Sequence, residues 1–199
     1  MPGPIIYYVR HGLTDWNAAG RLQGRHDTPL NVEGRLQAAR CGDILADLFA
    51  RERCEPQAYD YVSSPLLRAR DTMDVVRATL GLDPADYCVE ERLAEISFGD
   101  WEGLTYEDVL ARDPDIVATR KGNKWNFLPP GGESYAQVAE RVSAWYATVE
   151  RHTMVTAHGG TARALATLTG VVPREKAAHV SIEQGVVYAF ADGQLARYA

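Results

Sequence analysis

Cysteine is scarce in this chain and does not pair off. Cys41, Cys54 and Cys88 are an odd number without close metal-ligand spacing, which argues against a disulfide framework or a zinc site. They read as reduced structural thiols, with Cys41 on an apolar helical stripe. Long hydrophobic runs are missing too: no segment approaches the roughly 20 apolar residues of a membrane span. The opening Met1-Pro2-Gly3-Pro4 carries no basic region, extended apolar stretch or small-residue cleavage pattern. A soluble, cytoplasmic protein with no membrane partner is therefore expected. Positive charge is in deficit, with 21 Lys and Arg against 27 Asp and Glu and a formal net charge of -6, which argues against a nucleic-acid partner. The same excess repels small anions at long range, so a site for one must be made locally positive by arginines.

What is present points to one domain over residues 1–199. Apolar residues make up 46% and charged residues 24%, near the globular average, so the chain can bury a substantial core and disorder is not expected. Ile5 to Val9 is a continuous apolar run suited to a strand buried on both faces. Residues 10 to 30, rich in glycine and polar groups and poor in periodicity, read as a long functional loop. Asn31 caps a helix through about Arg53, whose Ala38, Cys41, Leu45 and Leu48 form one buried stripe. Tyr59 to Ser63 is a second strand, and Ser64-Pro65 supplies a cap and first-turn proline for a helix through Leu80. Leu66, Ala69, Met73, Val76 and Leu80 share a face of that helix.

Tyr87 to Val89 is a candidate third strand, and Thr105 with Asp108 opens a short helix after an irregular stretch from Leu93 to Leu104. Residues 113 to 133 hold Asp113-Pro114, Gly122, Pro129-Pro130 and Gly131-Gly132 and read as loop, with 105–133 a candidate partial lid. Ser134 and Gln137 form a capping box for a helix through Arg151, with Tyr135, Val138, Val142, Trp145 and Val149 inward. Thr153 to Ala157 is a core strand leading into a helix from Gly159 to Leu168. Val186 to Phe190 and Leu195 to Tyr198 form a terminal hairpin. Strands alternating with helices predict an α/β fold, a three-layer α/β/α sandwich around a mostly parallel central sheet.

Two histidine turns stand out. Arg10-His11-Gly12 follows the first strand and His158-Gly159-Gly160 follows the strand ending at Ala157, so each puts an imidazole at a carboxyl end, where open α/β sheets bind ligands. Arg10-His11-Gly12-Leu13-Thr14-Asp15-Trp16-Asn17 combines a guanidinium, an imidazole, short polar side chains and a glycine that permits close backbone approach, the chemistry of a phosphate grip. By themselves these are ambiguous: a lone Arg68 at a helix start is commonly a surface charge, and His158 a core histidine satisfied by backbone.

The motif Arg-His-Gly-x-Thr-x-x-Asn, followed by Leu22-Gln23-Gly24 and Thr28-Pro29-Leu30, resembles the opening of the histidine phosphatase superfamily, in its phosphoglycerate mutase-like branch. The likeness continues through Ser63 to Thr72, Glu95 to Gly103, Pro130-Gly131-Gly132-Glu133-Ser134 and Ala157-His158-Gly159-Gly160, about residues 5 to 165 in all. It implies a phosphoglycerate mutase-like fold and a metal-independent phosphomonoesterase acting on a small-molecule phosphate ester without a cofactor.

By that resemblance His11 is the nucleophile, which becomes a phosphohistidine that water later hydrolyses. Its imidazole must be neutral when it attacks, so a hydrogen bond fixing the other ring nitrogen is expected. Arg10, Arg68 and His158 match the phosphate pocket, and Gly159 at the following helix start favours phosphate contact. Glu95 matches the general acid and base, with Ile96 and Phe98 as apolar neighbours. Glu91 and Glu102 are rivals, read instead as exposed or structural.

Asn17 and Gln23 match positions that bind the ester. Thr14 either joins them or stabilises the turn. His26, His152 and His179 match no motif and default to surface or core. The segment Arg120 to Phe127 either touches the distal part of the substrate or is an ordinary solvated basic loop over the sheet.

Mutases of the family continue from the acid with Glu-Arg-His-Tyr-Gly and a lysine soon after. Here Glu95-Ile96-Ser97-Phe98-Gly99 and Tyr106 depart from both, which favours hydrolysis. The Phe98-Gly99-Asp100-Trp101-Glu102-Gly103 form resembles phosphatases of the branch. A mutase is the alternative, and a silent phosphate-binding scaffold a more distant one. The sequence leaves a homo-oligomer open.

Overall fold

The computed structural model describes residues 3–199. In chain order it has β1 (Ile6–Arg10), α1 (Asp15–Ala18), α2 (Val32–Glu52), β2 (Asp60–Ser63), α3 (Leu67–Thr79), β3 (Cys88–Val89), α4 (Tyr106–Arg112), α5 (Pro114–Gly122), α6 (Tyr135–Tyr146), β4 (Thr153–Ala157), α7 (Gly159–Leu168), α8 (Arg174–Ala177), β5 (Val187–Ala191) and β6 (Gln194–Tyr198). The strands form one six-stranded sheet in the order β3-β2-β4-β1-β5-β6. The first four in sequence run parallel, and β5 with β6 adds the expected antiparallel hairpin at one edge.

Period-two alternation along the buried strands feeds two cores. Ile6 and Tyr8 of β1 face a cluster with α6 and α7 residues such as Val142 and Leu165. Tyr7 and Val9 face the opposite cluster with Leu45 of α2 and Met73 of α3. This is the predicted three-layer sandwich. A third cluster, Trp101 with Val109 and Val117, seats α4 and α5 away from the sheet. Among the described residues no helix is long and apolar enough to cross a membrane.

The Asn31 cap and both capping boxes form as read, the Asn31 side chain accepting from Gly34 N at 2.9 Å. Elsewhere local signals were misread. Residues 114–122 are helical, because Pro114 stands in the first turn, where no backbone N–H is needed, and Val117 is buried on Trp101. Asp113-Pro114 is thus a start signal and not a breaker. The loop after β1 contains the single turn α1, and α6 ends at Tyr146 instead of reaching Arg151. Helix α3 begins two residues late: Leu66 occupies the cap position without a side-chain bond. The Ser64 hydroxyl is engaged elsewhere. Cys41 is buried, which pushes its thiol up to about 12, whereas Cys88 is exposed on the edge strand and is no buried structural thiol.

The register fixes the site. Arg10 pairs with Ala157 across β1 and β4, and His11 N donates to Ala157 O at 2.9 Å. Both histidine turns therefore leave the sheet side by side at its centre, where the chain reverses direction between β4 and β5 on either side of β1.

Candidate active site

His11 is 2% exposed, and its Nδ1 lies 2.8 Å from Gly12 O. Burial, with Arg68 and Arg10 nearby, holds the ring well below its usual 6.5, so it is neutral at physiological pH. A neutral ring that donates from Nδ1 to a carbonyl carries its lone pair on Nε2. Arg68 Nε donates to that Nε2 at 3.3 Å. The expected bond on the other ring nitrogen is therefore made to the carbonyl of the next residue, Gly12.

Arg68 is 1% exposed and is fixed by two further bonds, Nη1 to His26 O at 2.8 Å and Nη2 to Gly24 O at 2.7 Å. Among the described residues no carboxylate forms an ion pair with it, so its charge remains available. Arg10 donates through Nη1 to Ile182 O at 2.8 Å. Burial lowers both guanidiniums and Glu95 opposes that shift. The ring of His158 lies 5.2 Å from that of His11, and its Nε2 is 2.6 Å from Ser64 Oγ. Burial, then Arg68, keeps it well below 6.5.

Among the described residues only two buried side-chain polar atoms have no partner, Arg10 Nε and His158 Nδ1. Buried polar groups are nearly always satisfied, so two orphans beside one imidazole describe a pocket built for an acceptor-rich ligand. A neutral His158 ring that accepts from Ser64 at Nε2 carries its hydrogen on Nδ1.

Glu95 reaches the same place from the opposite side. Its Oε1 accepts from Gly160 N and Ile96 N, both at 2.9 Å. A methyl group on Gly160 would collide with that oxygen, so the bare glycine is what lets the carboxylate sit against the helix start. The backbone carrying Glu95 is clamped from α6: Arg141 forks onto Glu133 at 2.8 and 2.9 Å and donates to the carbonyls of Arg92 and Glu95 at 2.6 and 3.2 Å. Of the rivals, Glu91 is exposed and Glu102 accepts from Phe98 N and Arg25 N through one oxygen.

The structure thus brings Arg10, His11, Arg68, Glu95, His158 and Gly159 together. The remaining three residues sit around this centre. Thr14 Oγ1 caps α1 by accepting from Asn17 N at 3.1 Å, the turn-stabilising alternative. Asn17 Oδ1 accepts from Gln184 Nε2 at 3.0 Å, which leaves its amide nitrogen free to donate. Gln23 is buried, its Oε1 taking the Thr28 hydroxyl at 2.5 Å, while its neighbour Gly24 holds Arg68.

Gly12 does permit a close backbone approach, but to Gly34 on α2: a methyl group on either glycine would strike the other strand of backbone. His26 stacks on Trp16 at the surface, His152 Nδ1 accepts from Ile5 N, and His179 is exposed. Residues 120–127 are not a solvated loop. They close α5, bury Trp125 against Tyr135 and carry Lys124 to Ala178 O.

Sequence reasoning missed Ser64 and Gln184. Ser64 looked like a helix cap. Gln184 Nε2 reaches His11 O as well as Asn17, across 173 residues, and no local pattern marks it.

The chain matches the histidine phosphatase superfamily (branch 1) over residues 6–191. It is 36% identical to a glucosyl-3-phosphoglycerate phosphatase of Mycolicibacterium vanbaalenii, over 80% of this chain and 71% of the relative. It is 28% identical to a 2,3-bisphosphoglycerate-dependent phosphoglycerate mutase of Gloeobacter violaceus, over 95% of this chain and 87% of the relative. The solved structure of a mycobacterial glucosyl-3-phosphoglycerate phosphatase superposes with a TM-score of 0.80 at 27% identity, covering 98% of this chain and 96% of that one. With its two histidine turns at the centre of a sheet of this topology, the chain belongs to the histidine phosphatase superfamily.

Proposed function

We propose that this protein hydrolyses a small-molecule phosphate monoester through a phosphohistidine on His11, in one domain whose residues 105–133 act as a partial lid. His11 Nε2 attacks phosphorus: an N–P bond forms, the ester P–O bond breaks, and the departing alkoxide takes a proton from Glu95. The resulting carboxylate then takes a proton from water as its oxygen attacks phosphorus. Inorganic phosphate leaves and the neutral imidazole returns. Arg10, Arg68 and His158 stabilise charge on the non-bridging oxygens throughout, with Asn17 and Gly159 as further contacts.

The observation that carries this reading is the pairing of a neutral, pinned imidazole with two unsatisfied buried polar atoms, Arg10 Nε and His158 Nδ1. Phosphate labelling tests it. Brief incubation with a labelled ester followed by denaturation should leave acid-labile label on the protein, and His11→Ala should lose both label and turnover. Full activity in that variant rejects the assignment.

A mutase is the second reading, favoured by the Gloeobacter relative and opposed by Ile96, Ser97 and Tyr106. Supplying 3-phosphoglycerate with 2,3-bisphosphoglycerate separates them: phosphate release supports hydrolysis, and 2-phosphoglycerate formation the mutase. A panel of phosphorylated metabolites that includes glucosyl-3-phosphoglycerate addresses the substrate.

A further inference from the structure

Resting on the phosphatase reading, the geometry points to a second anion-binding position beside the phosphate pocket, built from Arg163 and Lys124, which selects phosphate monoesters whose alcohol carries a further anionic group. Three cations donate to alternate carbonyls of one segment. Arg10 Nη1 reaches Ile182 O at 2.8 Å, Arg163 Nε reaches Val180 O at 2.8 Å, and Lys124 Nζ reaches Ala178 O at 2.6 Å. Residues two apart in a chain are separated by at most about 7 Å, so the three cations are anchored in sequence along one short segment. Arg10 is the inner end. Gly159 shows how closely the next one follows: a methyl group on it would lie 3.1 Å from Arg163 Nη1 and 3.9 Å from Arg10 Nε.

Arg163 and Lys124 have no carboxylate within ion-pair distance among the described residues, whose ion pairs are all made by other arginines. Arg163 makes one other side-chain contact, from Nη1 to Tyr135 OH at 3.4 Å. Carbonyl dipoles offset only part of a charge. Burial lowers Lys124 to about 8, with smaller contributions from Arg120 and Arg163 nearby. In a chain of formal net charge -6, adjoining cations left without acids are relieved by an anionic ligand. A cavity of about 400 Å³ lined by Lys124, Trp125, Arg174 and Ala178, with Glu175 as its one acidic side chain, offers room for the rest of the alcohol.

Two matched pairs test this, 3-phosphoglycerate against glycerol 3-phosphate for a carboxylate and fructose 1,6-bisphosphate against fructose 6-phosphate for a phosphate. The protein should favour the charged member of at least one pair by roughly tenfold or more in kcat/KM, the scale of one charge-assisted hydrogen bond. Lys124→Gln and Arg163→Gln should each erase most of that preference while changing p-nitrophenyl phosphate turnover by less than about threefold. Lys124, anchored at the other end of the segment, gives an independent answer should the Arg163 variant fold poorly. Equal use of both members of both pairs, or variants that slow charged and neutral esters alike, overturns the inference. Calorimetric binding of the same pairs to His11→Ala protein reads the preference without turnover. A preference there, with no hydrolysis of p-nitrophenyl phosphate by the unaltered protein, supports the anion position and sinks the phosphatase reading instead.

Discussion

At the scale of single residues, glycine controls the acid. Gly160 presents its N–H to Glu95 Oε1 at 2.9 Å and has no space for a methyl group there. Gly160→Ala should displace the carboxylate while leaving α7 intact, since alanine suits a helix better than glycine. Turnover of alkyl phosphates, whose leaving group needs a proton, should fall by roughly 10- to 100-fold, and that of p-nitrophenyl phosphate much less. Equal losses on both esters would mean that the substitution damages the pocket as a whole. His11, Arg68 and Glu95 could be picked from the sequence because each lies inside a short motif. Ser64 and Gln184 could not, because their roles depend on contacts across 94 and 173 residues that only the folded sheet creates.

At the scale of elements, the stretch that carries Glu95 has only a single 3-10 turn at Glu91–Leu93 to hold it, and α6 supplies further support. The Arg141–Glu133 fork is mostly buried, with side-chain exposures of 17% and 14%, and it anchors two carbonyls of that stretch. Arg141→Lys keeps the charge but loses the planar fork. It should lower kcat for alkyl phosphates by about tenfold with little change in KM, an effect of misplacement and not of binding. A matching loss on p-nitrophenyl phosphate would count against a role specific to Glu95. Helix stripes were readable here because apolar spacing is local: Ala38, Cys41, Leu45 and Leu48 of α2 are all buried. Residues 114–122 were not, because a proline after an acidic residue marks either a break or a beginning, and burial of Val117 on Trp101 decides between them.

At the scale of the whole molecule, two neutral buried imidazoles tie stability to acidity. Both His11 and His158 have folded-state values depressed below 6.5. The unfolded chain therefore takes up protons below pH 6.5 that the folded chain refuses, so the contribution is fully present above that pH and lost as pH falls beneath it. The loss is at most about 1.4 kcal/mol per histidine per pH unit. Urea melts at pH 7.5 and 5.5 should show the lower stability at pH 5.5, and a His158→Gln protein should show a smaller difference between the two. An unchanged difference would mean that His158 titrates normally.

The crossing of Gly12 over Gly34 joins the catalytic loop to an outer helix with backbone directly on backbone. Neither position has a tolerated first substitution, since even one extra carbon must push the two segments apart and carry the peptide after His11 with them. A mutation in α2, which supplies none of the candidate site residues, is in this way converted into a misplaced loop around His11.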